Sequence, residues 1–209
     1  LSYVARQIPV RAKKLSLDKR LRRFLSNRAV RVRDWYRPVA ERLVKAAGSA
    51  GQIHLLIDSS KVGFNHQLLM VGMAYRRRAL PLAWTWVRGA RGHSSTKKQV
   101  ALLKYVHSLI PKAFQVSLVG DCEFGRPLLL EYLDWWGWAY ALRQPCDHLV
   151  MTQGDPTWRR VDSFALSPGT TMWLGRVLLT RASAYPTNLV LHWAKGEKEL
   201  KYYPESEHC

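Results

Sequence analysis

Ile53-His54-Leu55-Leu56-Ile57-Asp58-Ser59-Ser60 and Val116-Ser117-Leu118-Val119-Gly120-Asp121-Cys122-Glu123-Phe124-Gly125 are two apolar runs that each lead into an aspartate. A short apolar run flanked by turn residues reads as a buried strand, and open α/β sheets place their chemistry at the carboxyl ends of strands. Two acids delivered to one edge make a candidate site for a shared divalent metal.

The residues between and beyond these runs supply the rest of a sheet. Ile53 to Ile57, Gln67 to Tyr75 and Ala79 to Val87 read as consecutive antiparallel strands, the last two joined by an Arg76-Arg77-Arg78 turn. Pro81, Trp84 and Trp86 favour an edge position for the third. Thr96-Lys97-Lys98-Gln99 fits a capping box, and Val100, Leu103, Val106, His107 and Ile110 recur at helical spacing before Pro111. The strand Gln115 to Val119 leads into Asp121. A helix from near Pro127 carries Leu128, Leu129, Tyr132, Leu133 and Trp136, Gly137 closes it, and a fifth strand runs from Trp138 to Arg143. The predicted fold class is therefore α/β, with the βββαβαβ order of a ribonuclease H-like mixed sheet. In that order the first and fourth strands lie side by side, so Asp58 and Asp121 become neighbours.

Flanking segments differ in character. Residues 1–50 read as a basic helical N-terminal segment: Ser16 caps a helix with Leu17, Leu21, Phe24 and Leu25 on one face, ending near Asn27. A second helix runs from Asp34 to Gly48 with Trp35, Val39, Leu43 and Val44, and with Pro38 in its first turn. Their arginines and lysines suit either DNA contact or a solvated basic face. Residues 51–145 form the core. Residues 146–196 read as a β-rich insertion subdomain, with strands at Trp158 to Val161, Met172 to Thr180 and Asn188 to Ala194 and turns at Asp155-Pro156, Ser167-Pro168-Gly169 and Tyr185-Pro186-Thr187. Residues 197–209 show no usable period and read as a truncated or irregular tail.

Charge points to the partner. Lys and Arg number 33 against 15 Asp and Glu, a net charge of +18, which favours a polyanion such as double-stranded DNA. A hydrophobic fraction of 47% places that charge on a folded protein rather than a disordered basic tail. Cys122, Cys146 and Cys209 have no paired short spacing, so neither a disulfide framework nor a zinc knuckle is indicated, and a reducing cytoplasm is expected. No apolar stretch approaches a membrane span of about 18 residues.

Carboxylates hold Mg²⁺ or Mn²⁺ in two-metal phosphoryl transfer, and oxygen ligands suit those ions. Lys61, Arg88, Arg91, His93, Arg126 and Arg143 lie near the expected active edge as candidate phosphate contacts or solvated cations. Glu123 reads as a supporting acid, a helix-entry residue or a surface residue. Trp84, Trp86, Trp135 and Trp136 suit core packing more than base stacking. Phosphate-loop, His-Glu zinc and serine-nucleophile motifs are absent, which leaves nucleotide hydrolysis, zinc chemistry and acyl transfer unsupported.

Asp58-Ser59-Ser60-Lys61-Val62-Gly63, Ala79-Leu80-Pro81-Leu82-Ala83-Trp84, Gly92-His93-Ser94-Ser95, Gly120-Asp121-Cys122-Glu123-Phe124-Gly125 and Gly137-Trp138-Ala139-Tyr140-Ala141-Leu142-Arg143 together resemble bacterial insertion-sequence transposases of the family numbered four, of the DDE type. The likeness runs from about Arg11 to Glu199. It implies a ribonuclease H-like core with a β-rich insertion after the fifth strand, metal-dependent cleavage of mobile-element ends and strand transfer. Asp58 and Asp121 would be the first two metal-binding acids, the ends would pair in a homodimeric synaptic complex, and the enzyme would be cytoplasmic and nucleoid-associated. The third acid should be a glutamate on a helix beyond the insertion, within a Tyr, Arg, Glu, Lys signature. That spacing is missing, and Glu197, Glu199, Glu205 and Glu207 lack its Arg and Lys neighbours. A chain stopping before the catalytic helix, with little strand transfer alone, is the expectation. The competing expectations are a non-catalytic DNA-binding protein, or inhibitor of a full-length transposase, and a structural RNA-binding protein resting on charge alone.

Overall fold

The computed structural model describes all residues except 11, 48–50, 64, 90–93, 198–200 and 206–209, and for Glu205 the backbone alone. Arg91, His93, Glu199 and Glu207 therefore lie outside the described residues, as does Gly48. The chain divides into two compact units, Leu1–Val39 and Ala40–Cys209.

In the first unit α1 (Ser2–Gln7) packs on α2 (Lys14–Ser26) through buried Ala5 and Leu17. Of the four apolar residues expected on one face of α2, only Leu17 is buried; Phe24 and Leu25 are exposed, and Phe24 instead meets Trp35 at a ring separation of 5.0 Å. The helix α3 (Val32–Ala47) starts before Asp34, so Pro38 falls inside it rather than in its first turn. Within this unit Trp35 and Val39 of α3 are exposed; the buried positions of the helix, Ala40 and Val44, fall in the second unit.

In the second unit alternation sets the sheet. β1 (Gln52–Lys61) buries Ile53, Leu55, Ile57 and Ser59 on one face and exposes His54, Leu56, Asp58 and Ser60 on the other, the period of two that a half-covered strand requires. β2 (His66–Tyr75) and β3 (Arg78–Arg88) follow as an antiparallel meander. Arg76 and Arg77, with φ of 45° and 63°, form the left-handed two-residue turn between them. Next come α4 (Thr96–Leu109), β4 (Gln115–Gly120), α5 (Pro127–Trp135) and β5 (Ala139–Leu142). β4 pairs parallel with both β1 and β5, giving the order β3-β2-β1-β4-β5 with β3 at the edge. That order and those directions define a ribonuclease H-like α/β sheet. Leu102, Leu103 and Val106 of α4 and Leu129, Leu130 and Leu133 of α5 are buried with Leu55, Leu118 and Leu142 of the strands.

The β-rich region extends the same sheet. β6 (Leu149–Thr152), β7 (Asp155–Arg160), β8 (Thr171–Leu179) and β9 (Tyr185–His192) are antiparallel, and β10 (Lys201–Glu205) sits between β9 and β5. Three readings of the sequence are corrected here. Asp155-Pro156 opens β7 rather than making a turn, which its edge position tolerates. Tyr185-Pro186-Thr187 lies within β9, where Pro186 pairs with Leu178 of β8. The stretch after Lys201, without a readable period, is a strand because β9 supplies a full ladder from Lys201↔His192 to Glu205↔Asn188.

A polar junction ties this extension to the core. Tyr185 donates to Asp134 of α5, and Tyr140 of β5 shares hydrogen bonds with Thr187, Tyr185 and Asp134. Burial pushes the Tyr140 phenol up from 10.0 to about 12, with the nearby Asp134 charge adding to the rise against the Thr187 hydrogen bond. A phenol whose folded pKa is raised contributes stability that is present below pH 10.0 and lost as pH climbs through about 12. The Tyr185 phenol is raised as well, by burial and by its hydrogen bond to Asp134, so alkaline unfolding followed by circular dichroism should show a loss of stability in that window that Tyr140→Phe lessens but does not remove.

Candidate functional site

The parallel register of β1 and β4 pairs Leu55 with Leu118, Leu56 with Val119 and Ile57 with Gly120. Asp58 and Asp121 are the next residues on the two strands, which neighbour each other at about 4.8 Å. Asp58 lies inside β1 rather than after it, because the strand continues to Lys61 against Gln67 of β2. Asp121 follows β4 directly. Both aspartates are exposed.

Glycines make the approach possible. A Cβ on Gly120 would lie 2.7 Å from Ile57 Cγ2, 3.0 Å from Phe124 and 3.1 Å from Leu142, so three core side chains occupy the space a larger residue would need. A Cβ on Gly125 would fall 1.9 Å from Gln144 Nε2. Gln144 is buried, and its backbone N–H donates to Tyr202 O of β10 at 2.7 Å. Its Oε1 lies 2.9 Å from His148 Nδ1, which makes Nδ1 the protonated ring nitrogen. Burial, and then the Arg126 charge, lower the pKa of His148.

Each aspartate is oriented by a backbone N–H that follows it in the chain. Asp58 Oδ1 accepts from Ser59 N at 2.8 Å, and Asp121 Oδ1 accepts from Glu123 N at 3.0 Å, an Asx-type turn. Their Oδ2 atoms have no hydrogen-bond partner among the described residues. Two hard-oxygen donors with exposed second oxygens fit a divalent cation that keeps several of its waters. Among the described residues, no group of three His, Cys, Asp or Glu side chains gathers within metal-binding reach.

Glu123 does something else. Its Oε2 accepts from Ser59 Oγ at 2.5 Å and its Oε1 from Ser94 N at 2.7 Å, binding β1 to the entry of α4. Gln99 completes the frame, donating from Nε2 to Ser94 Oγ at 2.9 Å and to Glu123 O at 3.3 Å. This corrects the capping-box reading: Ser95 is the N-cap of α4, and the buried Gln99 side chain reaches the site loops. The signal available in the sequence was Ser59 at an inward position of an alternating strand, which demands a buried polar partner.

The basic residues divide. Lys61 and Arg88 end β1 and β3, Arg126 caps α5, and Arg143 follows β5 with its N–H on Gly120 O at 3.1 Å. All four belong to the edge on which the parallel strands end, and Arg143 lines a 530 Å³ pocket with Cys122, Cys146 and Tyr202. Of the glutamates considered as a third acid, Glu197 is salt-bridged to Lys201 at 2.6 Å, and the backbone of Glu205 pairs with Ala141.

No family model matches the chain, and no curated protein does. Ten solved chains match it. They include the piggyBac transposase in a synaptic complex with hairpin DNA, at a TM-score of 0.42 and 15% identity over 75% of this chain. They also include the Argonaute of Marinitoga piezophila with guide RNA and target DNA, at a TM-score of 0.33 and 12% identity over 75% of this chain. The chain spans 33% and 22% of the length of those two proteins. Scores this low leave both likenesses without weight for function, and the fold rests on the strand order. No helix among the described residues is long and apolar enough to cross a membrane.

Glu123→Ala removes the acceptor of the Ser94 N–H and of the Ser59 hydroxyl, and an unmet buried donor costs about 1–3 kcal/mol. Thermal denaturation should register a midpoint lower by several degrees. In a double-mutant cycle with Ser59→Ala the two losses should be non-additive.

Proposed function

We propose that this chain carries the catalytic core of a DNA-cutting and DNA-joining enzyme of the DDE transposase kind, in line with its motif resemblance to the insertion-sequence family numbered four. The observation behind the reading is the parallel β1–β4 register, which brings Asp58 and Asp121 to the same level of neighbouring strands. On this reading the carboxylates of Asp58 and Asp121 would hold Mg²⁺ or Mn²⁺. When bound, such an ion supplies an acidified water and charge neutralisation at a phosphodiester. Lys61, Arg88, Arg126 and Arg143 hold backbone phosphates of double-stranded DNA around the edge, and the net charge of +18 draws the polyanion in.

In the reaction proposed, a water oxygen attacks phosphorus as the bond to the 3′ oxygen breaks, and that oxygen leaves as a hydroxyl. The freed hydroxyl then attacks a target phosphodiester, exchanging one ester bond for another without an external energy source. Glu123 takes no part in holding the ion; it positions Asp121 through the backbone N–H that Asp121 accepts.

A second reading, a DNA-binding module without catalysis, draws on the engagement of Glu197 with Lys201 and the absence of a third gathered acid among the described residues. Mn²⁺ titration followed by electron paramagnetic resonance, run beside supercoiled-plasmid nicking, separates the two. The catalytic-core reading expects Mn²⁺ binding that falls at least about tenfold in Asp58→Asn and in Asp121→Asn. It also expects weak, metal-dependent nicking that both substitutions abolish. Metal-independent DNA binding, with Mn²⁺ affinity unchanged by either substitution, would leave only the module.

A further inference from the structure

The edge of the sheet opposite the aspartates carries a feature that the proposed reaction does not use. Where α4 and α5 end and β4 and β5 begin, a groove of 730 Å³ is lined by Lys104, His107, Lys112, Trp135, Trp136 and Trp138, among others. The rings form a graded series. Trp138 is buried, Trp136 is half-buried and stacks on His107 at 4.8 Å with an interplanar angle of 19°, and Trp135 is 76% exposed. Trp135 meets Tyr132 edge-on at a ring separation of 6.2 Å, and at this exposure its indole is largely open to solvent. Packing explains Trp138 and most of Trp136, but does not explain Trp135.

The charges around these rings have one sign. Lys104 is held over the Tyr132 ring at 4.4 Å and donates to its hydroxyl, and Lys112 stands exposed at the far lip. His107 has its pKa lowered by burial and by the Lys112 charge. Among the described residues, no carboxylate lines the groove. Of the nearby acids, Asp134 is engaged by Tyr185, and Glu131 lies exposed one turn back along α5.

A cationic groove with an exposed aromatic step suits unpaired nucleobases, whose faces stack on indole while lysines follow the phosphates. A duplex hides those faces. We infer that this groove binds a single-stranded segment of DNA, with Trp135 as the stacking platform and Lys104 and Lys112 as phosphate contacts. The choice of DNA rests on the proposed reaction, whose cut ends expose unpaired strand. Gln115 opens β4 at the groove and Asp121 follows its other end, so about 20 Å of sheet separates the two sites.

The test is anisotropy of a short fluorescein-labelled oligothymidine in the presence of EDTA, with tryptophan emission read in parallel. Binding should quench emission, and Trp135→Ala should weaken affinity about tenfold while leaving the thermal midpoint in place, because the side chain is exposed. Lys104→Gln and Lys112→Gln should each lower the slope of log affinity against log salt by about 0.7. Unchanged affinity in Trp135→Ala, an equal loss on a duplex of the same length, or tighter binding of oligouridine than of oligothymidine would each overturn the inference. Because EDTA removes metal chemistry, failure of nicking would refute the proposed reaction and leave the groove standing. Failure here would do the reverse.

Discussion

The parallel pairing of β1 with β4 is the constraint on which the rest of the second unit depends. It requires two strands far apart in sequence to meet in one register, and it holds because Leu55 and Leu118 are both fully buried at paired positions. Gly120 then lets Ile57, Phe124 and Leu142 close over the strand end, where any side chain would force them apart. A slip by one residue would turn Leu55 and Ile57 to the solvent face and Asp58 into the core. The positions of the aspartates, the entry to α5 and the approach of Gly125 to Gln144 all follow from that single pairing.

Around the pairing, polar groups are used as struts. Glu123, Ser59, Ser94 and Gln99 join β1, the start of α4 and the loop after β4 by hydrogen bonds, one of them buried and the others partly so. Such a network is costly when incomplete and rigid when complete, which suits an edge that must hold two carboxylates in fixed orientation. Gln144 serves the neighbouring loop in the same way, through Tyr202 O and His148. The site edge is thus fastened to β10, and β10 in turn to the antiparallel strands beyond it.

How far these features could be read in the chain depended on whether their cause was local. The strands of the core, the helix starting at Pro127 and the closing Gly137 were legible, because alternation, proline at a first turn and a left-handed glycine with φ of 67° are local signals. Gln99 was not: a glutamine three residues after a threonine looks like a cap partner, and only the packed structure supplies Glu123 and Ser94 as its partners. Pro186 and Pro156 looked like turns because proline breaks ladders; Pro156 is tolerated because β7 lies at the end of the sheet order, and Pro186 is carried within β9 opposite Leu178. Lys201–Glu205 has no pattern of its own and takes strand form from the ladder that β9 presents.

The residue pattern alone was enough to show that Asp58 and Asp121 each end an apolar run, that the order is βββαβαβ, and that the surface is strongly cationic. These properties are written in alternation, helical spacing and formal charge, which do not depend on distant residues. That β1 runs on past Asp58 to Lys61 was not visible in that pattern. Only the tertiary structure decided that Glu123 is a strut rather than a surface acid, and that Trp135 is left exposed while Trp138 is buried. It alone placed the chain's last described strand between β5 and β9. Each of these turns on which distant groups come within a few ångströms, and hydrogen bonds and burial are set by that proximity rather than by neighbours in sequence.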